Sequence, residues 1–298
     1  MQKTFLFQHT TVAYEDVCAP SDADAPGDSD TDAGADAPRS PGDRKKPVVV
    51  LLHGFAEDGT VWKHQVAALQ AQYRLLVPDL PGSGLSPQLK SGVEDAPSIE
   101  TFAELIHALL RHEKIDHCCM IGHSMGGYIT LAFAERYPEY LVGFGLFHST
   151  AFEDSVEKRQ TRRRSITFIE ENGGRPFLRQ STPNLFADRF KQNQPGEVEA
   201  LLQRSERFSP DVLTGYYEAM LRRPDRRDVM EKSPVPVLMI IGKQDNAVPL
   251  KESLQLISLA EMTFVYMLDQ VAHMGMWEAV PESNKALMEY LRFTFRDL

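Results

Sequence analysis

Gly122-His123-Ser124-Met125-Gly126 sets a hydroxyl between two glycines, after an apolar run at 118–121 and before a helical pattern at 128–137 that Pro138 stops. A serine on a sharp turn between a buried strand and a helix is displayed as a nucleophile. Glycines flank it because such a turn leaves no room for Cβ atoms near the neighbouring backbone, and Gly127 lets the helix lie close to the strand. A hydroxyl attacks poorly until a positioned base removes its proton, so an acid and then a histidine are expected downstream. Asp245 follows Val237-Leu238-Met239-Ile240-Ile241 within Gly242-Lys243-Gln244-Asp245, and His273 lies five residues past Leu268 in Gln270-Val271-Ala272-His273-Met274-Gly275. Separations of 121 and 28 positions are bridged if all three residues stand at the carboxyl ends of strands in one sheet. The chemistry implied is acyl transfer, with Ser124 as nucleophile, His273 as general base and then acid, and Asp245 orienting and stabilising the imidazolium.

An oxyanion needs donors. The backbone N–H after the nucleophile belongs to Met125, and a second is expected from the loop His53-Gly54-Phe55, with Phe55 N–H the best candidate. The side chains of Phe55 and Met125 are expected to line an apolar pocket wall, and His148, just past the run at 141–147, to reach the substrate pocket. His123, inside the turn, should point away from the nucleophile and serve packing. Asp269 is the rival acid, but its place at the end of the strand preceding His273 fits a loop cap better.

These residues require a scaffold of strands ending together. Apolar, β-branched runs recur at 48–52, 74–77, 118–121, 141–147, 235–241 and 263–268, and runs apolar on both faces imply strands covered on both sides. Helical patterns fall between them, at 61–70 and from Ser98, a candidate N-cap, through Ile99, Phe102, Leu105, Ile106, Leu109 and Leu110. Alternating strands and helices predict an α/β fold, a doubly wound and mostly parallel sheet. The rhythm breaks at 150–230, where helical patterns continue without a convincing strand. Here Lys plus Arg number 15 against 13 acids, so the segment has no basic excess to recruit nucleic acid. An aromatic-rich helical insertion predicts a lid over the sheet's carboxyl edge. Its clusters Arg162-Arg163-Arg164, Arg222-Arg223 and Arg226-Arg227 can each turn at most one side chain inward, and one inward arginine could clamp a substrate carboxylate. The core is then expected over 1–17, 47–149 and 231–298.

Among 298 residues, 25% are charged and 42% hydrophobic, with a formal charge of −10, a soluble composition. Residues 18–43 hold seven Asp against one Arg and almost no large apolar side chain, so 18–46 is expected to be a disordered acidic loop. Three cysteines, two of them adjacent in an apolar run, argue against a disulfide scaffold. The N-terminus turns polar at Gln8, short of a signal-peptide core, and no apolar stretch is long enough for a membrane span. A cytoplasmic protein with a small-molecule substrate, no membrane or nucleic-acid partner, and an undetermined oligomeric state is expected. No metal-ligand cluster or dinucleotide fingerprint is present, so no metal and no cofactor are expected.

With His53-Gly54-Phe55, Asp79-Leu80-Pro81-Gly82-Ser83-Gly84-Leu85-Ser86, Gly122-His123-Ser124-Met125-Gly126-Gly127, Gly242-Lys243-Gln244-Asp245 and Ala272-His273-Met274, the chain resembles the α/β-hydrolase superfamily, in its group with a single helical cap. The resemblance covers nearly everything outside 18–46. It implies the same Ser124, Asp245, His273 triad and gives the Asp79 to Ser86 loop a structural role. Serine at 124 excludes the aspartate nucleophile of epoxide hydrolases and haloalkane dehalogenases, and the single glycine of the oxyanion loop departs from the HGGG type of many lipases. The expected activity is hydrolysis of a small to medium ester, thioester or lactone through an acyl-enzyme. Two alternatives remain: a C–C hydrolase or lyase resembling the menaquinone-pathway synthase, where the same residues abstract a proton, and a non-catalytic sensor of this fold.

Overall fold

The computed structural model describes residues 1–18, 46–89 and 97–297, so the acidic stretch expected to be disordered lies, apart from its two end residues, outside the described residues. In chain order the elements are β1 (Gln2–Phe7), β2 (Thr10–Val17), β3 (Val48–Leu52), α1 (Lys63–Leu69), β4 (Arg74–Pro78), α2 (Ile99–His112), β5 (Cys118–His123), α3 (Met125–Arg136) and β6 (Leu141–Phe147). Then follow α4 (Val156–Asn172), α5 (Gly174–Ser181), α6 (Asp188–Asn193), α7 (Pro195–Ser205), α8 (Pro210–Arg222) and α9 (Arg227–Glu231). The chain closes with β7 (Val237–Gly242), α10 (Leu250–Leu256), β8 (Thr263–Leu268), α11 (Gly275–Glu278) and α12 (Val280–Thr294).

Eight strands form one sheet in the order β1-β2-β4-β3-β5-β6-β7-β8. The pairings from β4 through β8 are parallel, while β1–β2 and β2–β4 are antiparallel. The fold is the mostly parallel α/β sheet expected, and the two antiparallel strands were not anticipated. Their connection turns on Gln8 and His9, both at positive φ (42° and 64°), with no Gly or Asn to signal it. Leu6 is also exposed, which blurs the alternation set by Phe5 and Phe7.

Strand residues alternate between two apolar layers. Val50 and Leu52 join Met120, Leu146 and Met239 with α2 and α3, whereas Val49 and Leu51 join Cys119, Ile121, Leu238 and Ile240 with Trp62, Leu287 and Tyr290. This period of two, buried on both sides, explains why the strands read as unbroken apolar runs. Adjacent Cys118 and Cys119 fall into opposite layers, both buried, and burial pushes the Cys118 thiol up to about 12. Helix α2 begins as expected at Ser98, whose Oγ accepts from Thr101 N at 3.1 Å while Thr101 Oγ1 accepts from Ser98 N at 3.2 Å, a reciprocal cap.

The register aligns the strand ends that matter. Leu52 stands opposite Gly122, Gly122 opposite Leu146, Phe147 opposite Ile240 and Gly242 opposite Leu268. The loops that leave β3, β5, β6, β7 and β8 therefore emerge along one edge. Between β6 and β7 the described residues hold six helices and no strand. No described helix is long and apolar enough to cross a membrane.

Candidate active site

Ser124 joins β5 to α3 with φ 52° and ψ −115°, a sparsely populated conformation that costs about 1–3 kcal/mol and persists only where the surroundings enforce it. The glycines supply that enforcement. A Cβ on Gly122 would lie 2.2 Å from the Gly126 carbonyl, one on Gly126 would lie 2.5 Å from Leu52 O, and one on Gly127 would lie 2.3 Å from Ser149 Oγ. The backbone is tied in place where Ser124 N donates to Phe147 O at 3.1 Å and Ser149 Oγ donates to Ser124 O at 2.7 Å.

Asp245 is buried. Its Oδ1 accepts from the N–H groups of Ala247 and Val248 at 2.8 and 2.9 Å, and its Oδ2 accepts from His273 Nδ1 at 2.8 Å. Burial raises its pKa, but the charge and hydrogen bond of His273 prevail and hold the carboxyl well below its usual range. A carboxylate so fixed holds the His273 ring with Nδ1–H toward it and leaves Nε2 for a proton. Ser124 and His273 line one cavity of about 470 Å³, together with Phe55, Tyr128, Arg162 and Tyr217. Among the described residues no group of three or more His, Cys, Asp or Glu is placed to hold a metal ion.

Of the remaining expected residues, Phe55 lines the cavity and stacks on Tyr217 with ring centroids 4.3 Å apart. The Met125 side chain does not. It is fully buried in the core layer with α2 and α3, and its backbone N–H lies in the first turn of α3, where helix N–H groups lack an intrahelical partner. His148 also departs from the expected pocket position: its side chain is fully buried and stands behind the acid, with Nδ1 accepting from Gly242 N at 3.1 Å and 3.4 Å from Asp245 Oδ2. The strand register that ends β6 against β7 carries it there. Its Nε2 is buried without a partner among the described residues, and burial lowers its pKa to about 4. Asp269 is exposed and pairs with Lys243 at 2.6 Å, while the His273 Nδ1 partner is Asp245.

Three supporting residues have no counterpart in the sequence reading. Glu57 is buried, accepts from Gly54 N at 2.7 Å and meets His123 Nδ1 at 2.9 Å; His123 Nε2 donates to the His273 carbonyl at 2.9 Å. Both partners of His123 are acceptors, so both ring nitrogens donate; burial opposes the charge, but Glu57 raises the His123 pKa. His123 is fully buried and, through Glu57, fastens the loop of Gly54 to the loop of His273. Glu278 accepts from the N–H groups on either side of His273, Ala272 at 3.1 Å and Met274 at 3.0 Å, and from Ala187 at 2.8 Å. Tyr128, one turn past Ser124, faces the cavity. A signal for Tyr128 existed in its spacing from Ser124; Glu57 and Glu278 match no motif, and each also has a partner far off in the sequence, His123 for Glu57 and Ala187 for Glu278. Of the three arginines at 162–164, Arg162 alone lines the cavity, and Arg163 and Arg164 are exposed, as neighbours about 100° apart on a helix must be.

The loop from Asp79 to Ser86 is self-bonded beneath these groups. Asp79 Oδ1 accepts from Gly59 N at 2.9 Å and Oδ2 from Leu85 N at 2.8 Å, and His53 Nε2 accepts from Leu80 N at 2.9 Å.

Known proteins share this arrangement of elements. A family model described as alpha/beta hydrolase fold matches residues 47–146. The chain is 30% identical over 246 residues to a pimeloyl-[acyl-carrier protein] methyl ester esterase of Vibrio cholerae, covering 76% of this chain and 86% of that protein. It superposes on a thermophilic esterase from Thermogutta terrifontis with a TM-score of 0.81 at 25% identity, covering 96% and 94% of the two chains. An enol-lactonase from Burkholderia xenovorans LB400 matches in fold, with a TM-score of 0.81 at 20% identity over 97% and 99% of the chains.

Proposed function

Because the chain belongs to the alpha/beta hydrolase family and is a hydrolase, we propose that it cleaves a small to medium carboxylic ester, thioester or lactone through an acyl-enzyme on Ser124. In this reading Ser124 Oγ attacks the carbonyl carbon while His273 Nε2 takes the hydroxyl proton. Asp245 holds the imidazolium by its Nδ1–H. The backbone N–H groups of Phe55 and Met125 receive the oxyanion, each such donor contributing about 2.7–4 kcal/mol to the transition state. His273 returns the proton to the leaving oxygen or sulfur, and a water activated by the same imidazole then releases the acid. The helices from 150 to 230 act as a lid that shapes the acyl and alcohol sites.

The observation that carries the proposal is the 2.8 Å contact of Asp245 with His273 beside a serine on a positive-φ turn in the same cavity. Phe55, the edge of Tyr217 and Met220 make an apolar wall there, which suits an acyl chain of modest length. The test is a fluorophosphonate probe combined with rapid mixing against an activated short-chain ester. Stoichiometric labelling, a burst of released alcohol and loss of both in Ser124→Ala are expected. Undiminished turnover by Ser124→Ala would refute the assignment.

A further inference from the structure

Helix α4 turns a polar stripe toward the nucleophile. Lys158, Thr161, Arg162 and Ser165 follow the i, i+3, i+4, i+7 spacing of one helical face, and all four line the cavity that holds Ser124 and His273. A helix laid over a core ordinarily turns apolar residues inward; this stripe carries two cations and two hydroxyls. Tyr128 lines the same cavity at 4% exposure, and its hydroxyl has no hydrogen-bond partner among the described residues. The Arg223 guanidinium lies 3.9 Å over the Tyr128 ring. Arg162 and Arg223 share one fully buried carboxylate, Asp154, at 2.6 and 2.9 Å. Lys158 Nζ donates to Ala247 O at 2.9 Å and has no carboxylate partner among the described residues. Arg223, Arg162 and Lys158 thus have one carboxylate among them, Asp154, as an ion-pair partner among the described residues. Burial raises the Tyr128 pKa, yet Arg223, Lys158 and Arg162 together bring it below the usual phenol range. Of the acids that also line the cavity, Glu57 is committed to His123 and Gly54, Glu157 is exposed and accepts from Ser155 Oγ at 2.9 Å, and Glu252, on α10, is half-buried without an ion pair among the described residues.

We propose that Tyr128, Lys158 and Arg162 form a subsite for a carboxylate on the acyl part of the substrate, so that the ester or lactone accepted bears a free acid group. This rests on Ser124 being the nucleophile. A neutral hydrocarbon chain would leave the Tyr128 hydroxyl against carbon, whereas a carboxylate accepts from that hydroxyl and gains charge-assisted contacts with Lys158 and Arg162 beside it. Sites built from buried polar groups discriminate strongly against ligands that leave those groups unpaired.

The experiment measures how well linear dicarboxylates of four to eight carbons, and the corresponding diamides, protect Ser124 from a fluorophosphonate probe in the full chain. The best diacid is expected to protect at about tenfold lower concentration than its diamide. That advantage should shrink about tenfold in Arg162→Gln, about threefold in Lys158→Gln and Tyr128→Phe, and recover in Arg162→Lys. Arg162→Gln also takes a partner from Asp154, so Tyr128→Phe, which removes one oxygen, is the decisive variant where the arginine variant does not fold. Normal labelling of Ser124 with diacids no better than diamides overturns the subsite and leaves the nucleophile standing. No labelling of Ser124 overturns both.

Discussion

Asp245 sits between two imidazoles that behave oppositely. His273 Nδ1 donates to it at 2.8 Å, while His148 Nδ1 is engaged as an acceptor from Gly242 N at 3.1 Å. In the proposed triad the charge of Asp245 fixes the useful tautomer of His273, so Asp245→Asn should lower kcat roughly ten-thousandfold with little change in KM, read from steady-state ester hydrolysis. His148 governs acid stability instead. Its pKa is lowered from 6.5 to about 4 by burial, so the unfolded chain binds a proton that the folded one refuses, and stability is lost as pH falls from about 6.5 to about 4. The loss is on the order of 3 kcal/mol and should appear in urea unfolding midpoints of the native chain but not of His148→Gln. His123 contributes the opposite sign: raised by Glu57, its stabilisation is complete below 6.5 and is lost as pH rises from there through its higher folded value.

The elements do the positioning through close backbone approach. β5 and α3 meet so tightly that Gly126 has carbonyl oxygens from β3 and its loop, Leu52 O and His53 O, at 2.5 and 2.7 Å from where a Cβ would be. Gly126→Ala must move either the helix or the strand end. It should cost about 1–3 kcal/mol in denaturant unfolding and, by displacing Ser124, lower kcat by more than tenfold. This part of the site was legible, since the apolar strand, the glycine-flanked serine and the helix are contiguous and announce one turn. The β1–β2 hairpin was not, because its positive-φ positions are occupied by Gln8 and His9 and half its side chains face solvent.

At the level of the whole molecule, the helical segment and the sheet edge are joined through a few polar contacts. His273 N donates to Leu185 O at 2.9 Å, Ser205 Oγ to Ala56 O at 2.9 Å and Tyr216 Oη to Pro81 O at 3.0 Å. Glu278 gathers the histidine loop and Ala187 on one carboxylate. Glu278→Ala leaves those three N–H groups without their acceptor, so a loss of roughly 3 kcal/mol or more is expected in chemical denaturation. A fall in kcat larger than any change in KM should accompany it, because the imidazole loosens while the cavity walls stay. At the other end of the sheet, Arg74 meets Asp16 at 2.7 Å, and Lys3 joins Asp16 and Glu113 at 2.6 and 3.1 Å, tying the unanticipated hairpin to the parallel strands.

Periodicity and local spacing are properties of neighbouring residues, and they carried the strand–helix alternation, the glycine-flanked turn that holds Ser124 and the placing of Asp245 and His273 just past strand ends. Contacts between residues far apart in the chain leave no such trace. That Glu57 reaches His123, that His148 stands beside Asp245 and outside the cavity lining, and that Lys158 and Arg162 line one cavity with Tyr128 all depend on which loops the parallel register brings to one edge and on which face of α4 turns inward. Folding chooses those partners because burial forces each charge and donor to find the nearest complement in three dimensions, wherever the chain happens to supply it.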